Sequence, residues 1–252
     1  MINLIKNKYF IFLFLLIFVP VVLFLEFIDN KNLLLFKNDS SNTDLEIIKK
    51  NSSQNKISIS ENRNIIDKAI EIYDNSTTNT ELKKVIELLT PISENNDTAL
   101  FYIGFSFYYL ENYNEAIEIF IQCKNDKDCS VGLGYAYYAL GQFKNAIKYF
   151  ENNIDINIID DVYYLAESYF EDNQLKKSLE MFLICAKLED ALCQNNVGHM
   201  YNNGRGTEVN HKLAFLWYSK SAEQNVIAEP IVSLASMYLD GEYVNQSYEK
   251  AF

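Results

Sequence analysis

The sequence predicts an all-α protein: a right-handed α-α superhelix, a solenoid of antiparallel helix pairs, that follows one N-terminal transmembrane helix. Three observations lead to this prediction. A long apolar run stands near the N-terminus, and a small residue and an aromatic recur together along the later part of the chain. The composition, 49% apolar and 22% charged, is that of a chain able to build a packed core.

The apolar run covers residues 9–25, YFIFLFLLIFVPVVLFL. A helix of this length spans about 26 Å, and two further apolar residues extend it, so residues 9–28 are predicted to be a transmembrane signal anchor. No Ser, Ala or Gly follows the run before position 40, which disfavours a cleaved signal peptide. Lys6 and Lys8 precede the run, so residues 1–8 should stay in the cytoplasm. The C-terminal domain would then lie outside, which in a bacterium is the periplasm.

The segment after the anchor is polar and the remainder of the chain is acidic. Residues 29–60 are rich in Asn, Ser, Lys and Asp and are predicted to be a flexible linker. The whole chain contains 34 acidic and 22 basic residues; the first 60 residues contain 5 and 7 of these, which leaves 29 acidic and 15 basic residues beyond them. This balance excludes a nucleic-acid binder, which needs a basic face.

A repeat follows from about residue 97. Its first mark is a small residue at five positions: Gly104, Gly134, Ala166, Gly198 and Ala235. An aromatic follows each of them three residues later: Phe107, Tyr137, Tyr169, Tyr201 and Tyr238. A second small residue recurs at Ala116, Ala146, Ser178, Ala214 and Ala251, and the first four of these are followed by Phe120, Phe150, Phe182 and Tyr218. This registry predicts stacked units of two antiparallel helices, A and B, because one unit cannot bury its apolar face alone. The small residue on helix A lets the helices approach closely, and the Phe120-type aromatic fills the gap between units.

The first units resemble tetratricopeptide repeats. The run Leu100, Ile103, Gly104, Phe107, Ala116 and Phe120 is similar to that pattern, and so is the run from Val131 to Phe150. From Ala191 the chain resembles the longer Sel-one-like repeat, through Asn196-Val-Gly-His-Met-Tyr-Asn-Asn-Gly-Arg-Gly206 and the run from Lys212 to Gln224. The resemblance implies tetratricopeptide-like repeats over 97–190 and Sel-one-like repeats over 191–252, the last incomplete, with a degenerate capping helix pair at 61–96.

Four cysteines occupy equivalent places in this registry: Cys123 and Cys185 near the end of a helix B, and Cys129 and Cys193 at the start of the next helix A. These positions face each other across a short turn, and one interpretation is two disulfides, Cys123–Cys129 and Cys185–Cys193. The second spacing partly resembles that of cysteine-rich bacterial Sel-one-like proteins. Four small buried thiols are the alternative.

No catalytic constellation stands out in the sequence. The acidic pairs Asp160-Asp161 and Glu189-Asp190 fall at helix starts, where they would cap free N–H groups and complement the helix dipole. Neither a metal site nor a cofactor is predicted. A β-lactamase-like or cell-wall-acting enzyme remains an alternative only through the resemblance to cysteine-rich relatives.

The predicted function is therefore a non-catalytic protein-protein interaction scaffold, with a structural subunit of an envelope or secretion assembly as the other alternative. Helix A lines the concave face of such stacks, where Tyr and Phe favour capture of a peptide or a helix. By the registry, the groove residues are Phe101, Phe105, Tyr108, Tyr109, Tyr135, Tyr138, Tyr163, Glu167, Phe170 and His199. Several of these rings could instead fill the core between the helices. The predicted partners are a protein segment in the groove and the membrane, which residues 9–28 would contact. No nucleic-acid partner is expected.

Overall fold

The computed structural model describes residues 59–124 and 126–251. The chain divides into two compact units, Met1–Glu94 and Asn95–Phe252. The predicted tail, the transmembrane anchor at 9–28 and all but the last two residues of the linker lie outside the described residues. Among the helices that the structure does describe, none is long and apolar enough to cross a bilayer.

The first unit contains helix α1 (59–74), helix α2 (Asn79–Leu89) and a short 3-10 turn (Thr90–Ile92). Helix α2 begins at a capping box, in which Thr78 accepts from the backbone of Glu81 and the Glu81 carboxylate accepts from the backbone of Thr78. Its apolar side chains recur at helical spacing and are buried: Leu82, Val85 and Leu89. Helix α1 includes the last two residues of the predicted linker.

The second unit consists of ten helices over its described residues. They are α3 (Asp97–Tyr109), α4 (Tyr113–Phe120), α5 (Lys127–Ala139), α6 (Phe143–Phe150), α7 (Ile159–Glu171), α8 (Leu175–Lys187), α9 (Ala191–Asn203), α10 (His211–Glu223), α11 (Glu229–Asp240) and α12 (Tyr248–Ala251). Each helix packs on the next one along the chain, and α3 also contacts α5, as α5 contacts α7. The odd-numbered helices are the predicted helices A and the even-numbered ones the helices B. The prediction of an all-helical solenoid of helix pairs is confirmed.

Aromatic rings on helix B rest against glycines on helix A. A Cβ atom added to Gly104 would lie 2.4 Å from the Phe120 ring, and one added to Gly132 would lie 2.5 Å from the same ring. Gly134 and Phe150 repeat this contact in the next unit. Phe120 is 1% exposed, so the ring is held on both sides by helices that only glycine allows to come so close. The predicted role of the small residue is confirmed at Gly104 and Gly134.

The turns between helices A and B place one residue in the left-handed region at the same point of each early unit: Glu111, Gly141 and Asn173, with φ of 62°, 70° and 60°. The longer turn after α9 uses two glycines instead, Gly204 and Gly206. A Cβ atom on Gly206 would lie 2.3 Å from the carbonyl oxygen of Leu175, so this turn packs directly on the start of α8.

Of the two acidic pairs predicted to cap helix N-termini, one does so and the other does not. Asp190 caps α9 as predicted, since its carboxylate accepts from the backbone N–H of Cys193 at 2.8 Å. Asp160 and Asp161 do not cap α7, whose N-cap residue is Ile158 without a side-chain cap. Asp161 is buried and accepts a hydrogen bond from the Tyr135 hydroxyl at 2.5 Å. Asp161 therefore pairs with a tyrosine of another helix instead of the backbone N–H groups at the start of its own helix.

Both cysteine pairs are bridged as the disulfide interpretation requires. The Cα atoms of Cys123 and Cys129 are 6.3 Å apart, and those of Cys185 and Cys193 are 5.8 Å apart. The second bridge is fully buried in a core cluster that joins α7, α8 and α9. It therefore lies where the tetratricopeptide-like units meet the Sel-one-like ones.

The contact between Gly132 and Phe120 is tested by Gly132→Ala. The added methyl cannot fit without moving the ring, so the free energy of unfolding should fall by about 1–2 kcal/mol even after the gain in helix propensity. Urea denaturation measures it. The double variant Gly132→Ala/Phe120→Leu should lose less free energy of unfolding than the two single variants lose together, because the smaller leucine side chain makes room for the added methyl. An additive double variant, or a more stable Gly132→Ala, would contradict this packing.

The bridges are tested by peptide mapping under non-reducing conditions. Cys123 should be found linked to Cys129, and Cys185 to Cys193, with no thiol open to alkylation before reduction. Each bridge closes a short loop, with sequence separations of 6 and 8, so losing one by Cys→Ala at both of its ends should destabilise the fold by about 2 kcal/mol. Four alkylated thiols in protein from the native compartment would contradict the pairing.

Candidate functional site

The predicted groove residues fall into three classes of exposure. Seven are half-buried, so that part of each side chain remains accessible: Phe101, Tyr108, Tyr109, Tyr138, Tyr163, Glu167 and Phe170. Phe105 and Tyr135 are buried, with 5% and 2% of their surface exposed. His199 is exposed.

Phe105 and Tyr135 therefore belong to the core between the helices rather than to an open surface. The Phe105 ring packs edge-on against Phe120 at 5.1 Å between centroids, and Tyr135 packs against Phe150 at 5.2 Å. Both residues directly follow the glycine of their unit, so they lean into the same gap that the glycine opens. Their function is to support the rings that remain accessible.

The accessible rings of three successive helices A are connected through the buried ring of Tyr135. Tyr108 on α3 lies 6.1 Å from Tyr135 on α5, and Tyr135 lies 5.1 Å from Tyr164 on α7. Tyr164 also contacts Tyr138 at 5.0 Å and Tyr163 at 5.4 Å. We call Tyr108, Tyr138, Tyr163 and Tyr164, together with Glu167, the tyrosine face. The edge-to-face contacts of Tyr164 with Tyr135, Tyr138 and Tyr163 hold these rings in fixed orientations.

Tyr164 was missed by the sequence reasoning. It lies two residues before Ala166, outside the positions that the registry assigns to the inner face, yet its ring leans back onto α5 and bridges Tyr135 and Tyr138. Tyr102 holds the corresponding position on α3. The recurrence of a tyrosine two residues before the small residue of helix A, at Tyr102 and Tyr164, could have indicated this position.

Glu167 provides the charge on the tyrosine face. Its Oε1 accepts from the amide of Asn196 on α9 at 3.0 Å, so the side chain is held between two units. Burial and the neighbouring Glu171 carboxylate raise the pKa of Glu167, although hydrogen bonds from Tyr163 and Asn196 oppose this shift. The site thus contains a partly desolvated carboxylate.

The tyrosines respond to the same environment. Burial, followed by the charges of Glu167, Tyr164 and Glu171, raises the pKa of Tyr138 to about 12. Burial raises the pKa of Tyr163 as well, with Glu167 the next cause, and burial raises that of Tyr108. These hydroxyls stay protonated at neutral pH and can donate hydrogen bonds.

His199 lies in a separate cleft of about 230 Å³ at the Sel-one-like end. The cleft is lined by His199, Asn202, Asn203, Tyr218, Ser233, Ser236, Met237 and Glu242. Partial desolvation and the nearby Arg205 charge lower the pKa of His199. Nothing in the described contacts joins His199 to the tyrosine face, and no three His, Cys, Asp or Glu side chains of the described ranges are grouped closely enough to hold a metal ion.

The raised pKa of Glu167 predicts a pH-dependent effect of Glu167→Gln. A carboxyl that takes up its proton more readily in the folded state disfavours folding when it is charged, so the variant should have a higher Tm than the parent protein near pH 7. At about pH 3, where both states hold the proton, the difference should vanish. Circular dichroism measures both.

The matched control is Glu118→Gln, which removes the same charge from an exposed position on α4. It should change the Tm less than Glu167→Gln near pH 7. Equal gains from both variants would mean that relief of the general negative charge, and not the burial of Glu167, is responsible.

Comparison with known families supports the two kinds of repeat. The tetratricopeptide repeat model matches residues 98–126 and 128–152, and the Sel1 repeat model matches residues 191–226 and 232–252. A sel1-like repeat-containing protein of Acanthamoeba polyphaga mimivirus is 42% identical over 67 residues, which cover 26% of this chain and 11% of the viral protein. The match thus spans only a small part of that relative.

Solved structures show the same fold at low sequence identity. The protective antigen c5321 of uropathogenic Escherichia coli, which displays an SLR fold, is 21% identical with a TM-score of 0.57, over 75% of this chain and 44% of the antigen. YrrB, a TPR protein with an unusual peptide-binding site, is 18% identical with a TM-score of 0.56, over 71% of this chain and 96% of YrrB. The family models therefore identify tetratricopeptide repeats at residues 98–126 and 128–152 and Sel1 repeats at residues 191–226 and 232–252, on the helix pairs and glycine contacts described above.

Proposed function

We propose that this protein is a non-catalytic scaffold whose tyrosine face holds an extended or helical segment of another protein. The fold is that of repeat scaffolds for protein interaction. The observation that carries the proposal is the row of half-buried, mutually fixed rings on α3, α5 and α7. Rigid aromatic side chains contribute large contact area with little loss of side-chain entropy, and their hydroxyls can pair with a peptide backbone.

The position of the face in the solenoid supports the same proposal. Helices A of successive units lie next to each other, so their accessible rings form one continuous strip across three units. A strip of this kind suits a segment of chain better than a compact small molecule, because each unit offers one more contact along its length. The peptide-binding site for which YrrB is described is consistent with such a use of the fold.

We also propose that the protein is anchored in the inner membrane. An N-terminal anchor at residues 9–28 would hold the protein in the inner membrane, with the repeat domain in the periplasm. The apolar run and the preceding Lys6 and Lys8 support this arrangement, and the two bridged cysteine pairs suit an oxidising compartment. Protease treatment of spheroplasts tests it: digestion of the repeat domain is expected, and complete protection would contradict it.

The binding role is tested by photocrosslinking in the native cell. A photoreactive amino acid in place of Tyr138 should trap a partner that mass spectrometry identifies. The same partner should be lost when Tyr108→Ala is added, because the adjoining ring of the strip is removed while the helices remain. A photoreactive residue in place of exposed Glu118 on α4 is the matched control and should not trap it.

Two results would contradict the proposal. Trapping of the same partner with equal yield from both positions would place the binding surface elsewhere or make it unspecific. The absence of any trapped protein at position 138, with unchanged helical content, would favour a structural role within a larger assembly.

A further inference from the structure

The helices that form the tyrosine face, α3, α5 and α7, and the next helix A, α9, are nearly free of cations. Helices α3, α7 and α9 contain no Lys or Arg, and α5 contains one, Lys127, at its first position. The same four helices contain six carboxylates: Asp97, Asp128, Asp160, Asp161, Glu167 and Glu171. The lysines of the repeat units lie mainly on the helices B, such as Lys148 on α6 and Lys177 on α8. The two sides of the solenoid therefore differ in charge.

Lysines of the helices B lie over rings that are not part of the tyrosine face. Lys148 lies 5.1 Å from the centre of the Tyr149 ring, and Lys177 lies 4.9 Å from that of Tyr169. Within the described ranges, no Lys or Arg lies over the rings of Tyr108, Tyr138 or Tyr164. Among the described residues, these half-buried rings are therefore without a stacked cation.

At one edge of the strip a cation from the chain itself lies on a groove ring. The guanidinium of Arg205, from the glycine turn after α9, lies 5.1 Å from the centre of the Phe170 ring on α7. The chain therefore already stacks a guanidinium on one of the rings predicted for the groove. An aromatic face attracts a cation through its negative quadrupole, and more strongly where water is partly excluded.

Glu167 is the second feature that favours a cation. It stands among Tyr138, Tyr163 and Tyr164, all of which are affected by its charge, and it lies 3.0 Å from the Asn196 amide. A carboxylate offers about four lone-pair directions, so these neutral donors leave capacity for a charged one. A partly desolvated carboxylate destabilises the fold when it is charged, and a cation from a ligand would offset that penalty.

We propose that the segment bound on the tyrosine face is cationic, with an arginine or lysine side chain lying on the rings of Tyr138 and Tyr164 and donating to Glu167. This inference rests on the proposed function and adds the chemistry of the partner. A carboxylate or phosphate group is excluded from the same place, because Glu167 and Glu171 would repel it.

Three synthetic twelve-residue Gly/Ser peptides test the inference, each with one fluorophore. The first carries three arginines, the second three citrullines and the third three glutamates. Citrulline keeps the shape of arginine without its charge. Fluorescence anisotropy with the full chain in uncharged detergent, at about 150 mM salt so that long-range attraction is screened, gives the affinity of each peptide. The arginine peptide should bind at least about tenfold more tightly than the citrulline peptide, and the glutamate peptide most weakly.

Matched variants separate the site from the general negative charge. Glu167→Gln should weaken binding of the arginine peptide by about tenfold, whereas Glu118→Gln on the helix-B side should change it less than about twofold. Tyr138→Phe, which keeps the ring, should bind nearly as well as the parent protein, and Tyr138→Ala should not. Circular dichroism confirms that each variant folds.

The outcomes distinguish this inference from the proposed function. Equal binding of the arginine and citrulline peptides, both weakened by Tyr138→Ala, would overturn the cationic partner and leave the tyrosine face as a binding site. Arginine-peptide binding that Glu118→Gln weakens as much as Glu167→Gln would overturn it as unspecific attraction. A photoreactive residue at position 138 that crosslinks to residues 1–58 of the same chain, and not to the peptide, would assign the face to the chain's own segment and contradict both.

Discussion

The contact between a helix-A glycine and a helix-B aromatic determines the rest of this structure. Where a Cβ atom would lie 2.4–2.8 Å from ring atoms, only glycine lets the two backbones approach. Phe120 is held in this way between Gly104 and Gly132, so a single ring sets the spacing within one unit and to the next. In the Sel1 part, Gly198 and Tyr218 make the same contact. Because the spacing is preserved, the two repeat types stack as one solenoid.

That spacing has a direct consequence for function. Residues next to the glycines, Phe105 and Tyr135, are drawn into the core, while those further along helix A remain half-exposed. The accessible tyrosines therefore rest on a buried aromatic layer and cannot change rotamer freely. The bridge between Cys185 and Cys193 and the packing of Gly206 tie the Sel1 units to α8, which packs on α7 of the tyrosine face. A rigid platform of this kind lowers the entropic penalty of binding a flexible segment.

Much of the fold could be predicted from the sequence because its cause is periodic. The small residues and aromatics recur at fixed intervals, and each recurrence marks a close helix contact. The site was harder to predict for two reasons. Registry assigns a direction to each side chain but not its depth, so Phe105 and Tyr135 were expected on the groove. Contacts between units have no local signal, which is why the Tyr135–Asp161 and Glu167–Asn196 hydrogen bonds emerged only from the structure.

The central claim is that the helix-A strip, and not another surface of the solenoid, is the binding site. Hydrogen–deuterium exchange of the full chain, with and without its trapped partner, tests this most directly. The account predicts that the partner slows exchange in α5 and α7, the helices that carry Tyr138, Tyr164 and Glu167, and leaves α4 and α6 unchanged. Slower exchange confined to the helices B, with α5 and α7 unaffected, would contradict it.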